Sequence, residues 1–209
     1  LHTGPCRIPW NEDYASGGSS GGAAVAVATG LSPIAQAGDG GGSIRIPASF
    51  CGVFGFKPTN GRIPREYRPH QGGWEIFSQD GPISRSVRDA VLFTTALAGP
   101  DPTDPRSLDN YEFTHAGLGD CTIQDVRIGL ISNFKETPVD PGVKSLICNE
   151  AGTFEDLGAM VTEVGADFDE TEAREVFKTI FLADMFASVG PLLRRKSDIL
   201  TPTMREFLE

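Results

Sequence analysis

Glycine is unevenly spread along this 209-residue chain. The densest group lies between Gly17 and Gly61 and includes Gly17-Gly18-Ser19-Ser20-Gly21-Gly22 and Gly38-Asp39-Gly40-Gly41-Gly42-Ser43. Glycine gives up more conformational freedom on folding than any other residue. A local excess is therefore expected where the backbone needs unusual dihedrals or must approach something closely. The segment 21–29 (GGAAVAVAT) then reads as a short buried helix of small residues, closed by Gly30. Residues 38–42 read as a tight turn. A glycine run that opens onto a helix presents several backbone N–H groups in one concavity. Such a nest can hold an anion, or the oxyanion that forms when a carbonyl is attacked. Ser43 stands at its edge, but a serine hydroxyl alone is a weak nucleophile and needs a base.

The usual base is histidine. The chain has His2, His70 and His115, and none lies in a polar motif that would orient it. Lys57 is a second candidate. A phosphate-binding reading of the glycine loop fails, because no GxxxxGK[ST] is present. Taken alone, GGSSGG would also pass for a flexible linker.

Composition removes other classes. Apolar residues make up 39% and charged residues 22%, as in globular domains rather than disordered ones. The formal net charge of −10, with no basic cluster beyond Arg194-Arg195-Lys196, argues against nucleic-acid binding. Cys6, Cys51, Cys121 and Cys148 match neither a zinc site nor a CxxC pair, and a reducing, cytoplasmic setting is expected. Cys51 reads as a small buried apolar residue. No apolar run is long enough to span a membrane, and the start does not read as a signal peptide. The chain opens at Leu1 rather than Met and stops inside a helical pattern, so it reads as a piece of a longer protein.

Elsewhere the pattern alternates. Residues 1–14 read as irregular loop, 31–37 as a strand and 43–50 as a helix with Pro47 in its first turn. Residues 53–57 (VFGFK) read as an inner strand, 62–77 as a long loop and 81–86 as an extended segment. Ser86 caps a helix over 87–98 whose apolar residues recur at a helical period. Residues 99–110 form a Pro/Asp loop. Strands at 126–131 and 159–164 alternate with helices at 141–157 and 171–189. The expected fold class is α/β, a mixed β-sheet core flanked by α-helices on both faces, in one domain over 1–209. Trp74 and Phe77 fit either a substrate pocket or ordinary packing.

The stretch 16–62 is the most specific part of the chain. It carries GGSSGG, then GDGGGSIRIPA, then Phe50-Cys51-Gly52 with Lys57-Pro58-Thr59 and a closing Gly61-Arg62. It closely resembles the amidase signature family, whose members use a Ser-cisSer-Lys triad and no histidine. The resemblance implies that Ser43 is the nucleophile and that Ser19, preceded by a cis peptide bond, is its relay. It implies that the amides of Gly40, Gly41, Gly42 and Ser43 form the oxyanion hole. The family's lysine lies well upstream of the first serine motif, and residues 1–18 contain none. The catalytic base is therefore outside this chain, and Lys57 falls to a structural role. Asp39 and Arg45 are expected to pair or to hold the loop backbone. The family usually carries threonine or a similar residue where this chain has Gly38 and Gly40.

The implied activity is hydrolysis of a linear carboxylic amide through an acyl-enzyme, with no metal or organic cofactor. The implied partner is a small-molecule amide, with no nucleic acid and no membrane; a homodimer is the oligomer left open. One alternative is the glutaminase subunit of a tRNA-dependent amidotransferase. The other is an inactive fragment acting as a binding or scaffold module.

Overall fold

A computed structural model describes residues 4–66, 76–109 and 122–193, with side chains through Ala187. His2, His70, Trp74, His115, Cys121 and Arg194-Arg195-Lys196 lie outside the described residues. The elements in chain order are β1 (Arg7–Ile8), β2 (Asn11–Ala15), α1 (Gly21–Ala28), β3 (Ile34–Asp39), α2 (Arg45–Cys51) and β4 (Phe54–Gly55). They continue as β5 (Gln79–Ser84), α3 (Val87–Leu97), β6 (Arg127–Leu130), α4 (Pro141–Asp156), β7 (Met160–Glu163) and α5 (Glu170–Leu193). The fold is mixed α/β. The chain divides into two compact units, one of Leu1–His115 with Ala183–Glu209 and one of Ala116–Leu182.

The first unit is organised by β5, which pairs antiparallel with β3 on one side and β4 on the other. The β3–β5 ladder runs from Ile34 opposite Ser84 to Asp39 opposite Gln79. Helix α1 buries Gly21, Ala24 and Val27, one residue per turn on a single face. Ala24 and Val27 join Ala37, Ile44, Cys51 and Ile83 in the core. Helix α3 starts where expected, with Ser86 Oγ accepting the amide of Asp89 at 3.1 Å. It closes on a backbone bond from Ala98 N–H to Thr94 O.

Several boundaries differ from the expectation. Residues 7–15 are not irregular loop: β1 and β2 pair antiparallel, and Ser16 N–H extends the contact to Cys6 O at 3.1 Å. All five β2 residues are exposed, so no apolar alternation marks the strand. β3 begins later than residue 31 and continues to Asp39, which delays the glycine turn to Gly40. The strand expected at 53–57 shrinks to Phe54–Gly55 and lies at the edge of its sheet, while β5 is central. Pro58 lacks an N–H and cannot extend that ladder; the last bond is Phe56 N–H to Pro82 O. Both kinds of strand pairing are present among the described residues, antiparallel in β1–β2 and β3–β5–β4 and parallel in β6–β7.

In the second unit, β6, α4 and β7 form a strand–helix–strand unit in which α4 supplies the crossover that parallel strands require. Asp140 caps α4 by accepting the amides of Gly142 and Val143. Glu170, at the start of α5, accepts the amides of Lys135, Glu136 and Thr137. Helix α4 buries no residue, and Val143, Leu146, Ile147 and Phe154 are exposed along it. Among the described residues, no helix is long and apolar enough to cross a membrane.

Candidate active site

The two serine motifs meet at the start of α1. The Gly18–Ser19 peptide bond is cis, as the resemblance implies. One residue on, the amide of Ser20 donates to the carbonyl of Ser43 at 3.3 Å, which ties the first motif to the second. Ser19 is exposed and Ser43 half-buried. Behind Ser19 the chain is fixed by Ser16, which is fully buried. Its amide bonds Cys6 O, and its carbonyl accepts from Cys51 Sγ at 3.8 Å. Burial, and then the neighbouring Cys6, push the Cys51 thiol above its ordinary pKa. Cys51 is fully buried and packs as a small apolar residue, as expected.

Asp39 organises the loop that carries Ser43. It is 1% exposed and is the last residue of β3. Oδ1 accepts the amide of Gly42 at 2.7 Å and Arg45 Nη2 at 2.9 Å. Oδ2 accepts Arg45 Nε at 2.9 Å and the amides of Ile44 and Arg45 at 3.2 and 3.3 Å. The fork geometry of the guanidinium matches the carboxylate edge, the strongest form of such a pair. Burial pushes the Asp39 carboxyl up. Arg45 and the three backbone amides outweigh it and hold the pKa at about 2, against an ordinary 3.8. Asp39 and Arg45 are paired, and Asp39 alone also accepts backbone amides of the loop, those of Gly42, Ile44 and Arg45.

This arrangement narrows the set of amides that can meet an oxyanion. Gly42 N–H points at Asp39 and is already engaged, so it is not the open donor that the resemblance implies. The amides of Gly40, Gly41 and Ser43 have no partner among the described residues. The helix also begins later than expected, at Arg45, with Ser43 in the turn before it; Pro47 still falls in the first turn. Gly42 O accepts Ile46 N–H at 2.7 Å, so helical bonding reaches back past the serine.

Lys57 donates its amine to Pro58 O at 2.8 Å, a local bond at a turn. Phe77 is exposed. Sequence reasoning missed three residues that hold this region. Gln79, 1% exposed, accepts Gly61 N–H and donates to the carbonyls of Ile63 and Asp80. Trp10 Nε1 donates to Cys51 O at the end of α2. Ile46 lies against both serine loops. Their partners are mostly remote in sequence, and no local pattern marks them.

The amidase family profile matches residues 2–204. This chain belongs to the amidase family. An acylamidase from Rhodococcus erythropolis is 40% identical over 160 residues, covering 77% of this chain and 33% of that protein. The A-type subunit of the glutamyl-tRNA(Gln) amidotransferase from Syntrophomonas wolfei is 38% identical over 172 residues, covering 79% of this chain and 34% of that protein. A crystal structure of a bacterial aryl acylamidase of the amidase signature family superposes with a TM-score of 0.85 at 35% identity. That match covers 98% of this chain and 44% of the other. This amidase-family chain thus spans about a third of the length of the curated relatives it matches.

Proposed function

We propose that this chain is the nucleophile-bearing part of an amidase that cleaves a linear carboxylic amide through a serine acyl-enzyme. The observation that carries the reading is the joining of the Ser19 loop to the Ser43 loop by the Ser20–Ser43 backbone bond. Family membership supports it.

In this reading a lysine from outside the 209 residues, neutral through burial, takes the Ser19 hydroxyl proton. Ser19 takes the proton of Ser43 as Ser43 Oγ attacks the amide carbonyl. The negative charge on that oxygen falls to the amides of Gly40, Gly41 and Ser43, while Gly42 keeps its amide on Asp39 and fixes the loop. The C–N bond breaks, the relay returns a proton to the leaving amine, and the acyl group stays on Ser43. Water activated by the same relay then hydrolyses the ester. Asp39 and Arg45 touch no reacting atom and serve by fixing the loop. In this reading the setting is a reducing cytoplasm, which the number and spacing of the cysteines favour.

A second reading is the glutaminase subunit of a tRNA-dependent amidotransferase, raised by the 38% identity to the Syntrophomonas wolfei amidotransferase subunit. Both readings use the same serines. A serine-directed fluorophosphonate, with mass spectrometry of the full-length protein that contains this chain, tests the mechanism. Labelling at Ser43 that disappears in Ser43→Ala is the expected result. Ser19→Ala should lower kcat by about 100-fold or more, the scale of a lost acid–base group. Absence of labelling at any pH overturns the reading and leaves the scaffold alternative. Glutamine hydrolysis that requires a partner protein selects the amidotransferase. The 209-residue chain by itself is expected to lack turnover above its Ser43→Ala variant.

A further inference from the structure

Ile46 occupies a position that the reading of Ser43 and Ser19 does not use. It is the second residue of α2 and 42% exposed, although it is large and apolar. Two glycines face it, one from each serine loop. Gly17, two residues before Ser19, has φ +72, and a Cβ there would stand 3.0 Å from Ile46 Cγ2. Gly42, just before the nucleophile, has φ +110, and a Cβ there would stand 2.7 Å from Ile46 Cδ1. At Gly17 the Cγ2 branch shares the bare space with the Pro47 backbone, whose Cα and N would stand 3.1 and 3.2 Å from the same Cβ, and at Gly42 the Cγ1–Cδ1 branch fills it. The backbone of the same residue is fixed as well, since Ile46 N–H donates to Gly42 O at 2.7 Å.

We propose that Ile46 is a positioning residue: a wedge in which Cγ2 sets the Ser19 loop and Cδ1 sets the Ser43 loop, so that the relay and the nucleophile keep their register. The inference rests on the assignment of Ser43 and Ser19 made above. Among the described residues, the Ser20–Ser43 backbone bond is the hydrogen bond that joins the two loops, and at 3.3 Å it is long. A β-branched residue suits the task because its χ1 is stiff and its two branches point to different neighbours. Asp39 and Arg45 fix the shape of the Ser43 loop, and Ile46 fixes its distance from the other loop.

The branches can be removed separately in the full-length protein. Ile46→Val deletes Cδ1 and keeps the contact at Gly17. Ile46→Leu deletes the β-branch and loosens the Gly17 side. Ile46→Ala deletes both. The readouts are kcat and KM on a small anilide, the rate of fluorophosphonate labelling at Ser43, and the melting temperature. A misplacement near 1 Å can cost about 100-fold in rate, so Ile46→Ala is expected to lose about that factor in kcat and in labelling, with KM within about threefold. Ile46→Val and Ile46→Leu should each lose a smaller factor while melting close to wild type. If Ile46→Ala fails to fold, the Val and Leu variants carry the test alone. Normal kcat and labelling in those two variants overturn the proposal, as does a rise in KM with kcat unchanged, which would make Ile46 a substrate-pocket wall. Activity surviving in Ser43→Ala instead overturns the assignment on which the proposal rests.

Discussion

Replacing Asp39 with asparagine keeps the side chain's shape and removes its charge. The carboxylate accepts five bonds, two at Oδ1 and three at Oδ2. An asparagine does best with its carbonyl at the Oδ2 position, where it retains Ile44, Arg45 and the Nε donor. Its NH2 group then faces two donors, Gly42 N–H and Arg45 Nη2. The Arg45 side chain is 57% exposed and can recover water. The Gly42 amide is buried and cannot. A lost bond to a charged group is worth about 1.5–3 kcal/mol, and an orphaned buried donor costs a similar amount. Asp39→Asn is therefore expected to destabilise the chain by about 3 kcal/mol near neutral pH. Urea unfolding of the 209-residue chain and its variant measures this directly.

The same experiment has a pH signature. The folded pKa of Asp39 lies below its ordinary value, at about 2 against 3.8. Its contribution is complete above 3.8 and is lost as pH falls through about 2. The shift corresponds to about 2 kcal/mol, so the gap between wild type and variant should narrow by that amount between about pH 6 and about pH 2. The gap is the quantity to follow, because Asp101, Asp104 and Glu170 are also shifted down and acid weakens the whole chain. A loss below about 1 kcal/mol, or a gap that ignores pH, would refute the role of the carboxylate as the buried anchor of the loop.

Two further outcomes follow from buried or bonded polar groups. Gln79→Leu leaves Gly61 N–H and the carbonyls of Ile63 and Asp80 without their partner, and should cost about 3 kcal/mol in the same unfolding assay. Glu170→Gln should speed hydrogen exchange at the amides of Lys135, Glu136 and Thr137, read residue by residue by NMR, while amides within α4 keep their protection.

Segments whose signal is local were legible in the sequence. Ser86 capping α3, the helix that starts at Pro141, and the alternation of strand and helix through β6, α4 and β7 all rest on neighbours within a few residues. The glycine context of Ser19 and Ser43 was legible for the same reason. What failed to read depends on distant pairing. The β1–β2 hairpin has no apolar alternation and is secured by Trp10 reaching Cys51. The loss of Gly42 as an open donor follows from Asp39, three residues away but oriented by the end of a β-ladder. Gln79 and Ile46 are ordinary residue types made important only by what the fold brings against them.

Asp39 and Gln79 face each other at the final rung of the β3–β5 ladder, and both are buried. Neighbouring strands lie about 5 Å apart, so the connection that starts after Asp39, passes through α2 and β4 and comes back to Gln79 begins and ends on one rung. Each end of the connection has its own polar post: Asp39 holds the start of the excursion, and Gln79 holds its return near Gly61 and Ile63. In engineering terms this is a cassette with a fixed socket.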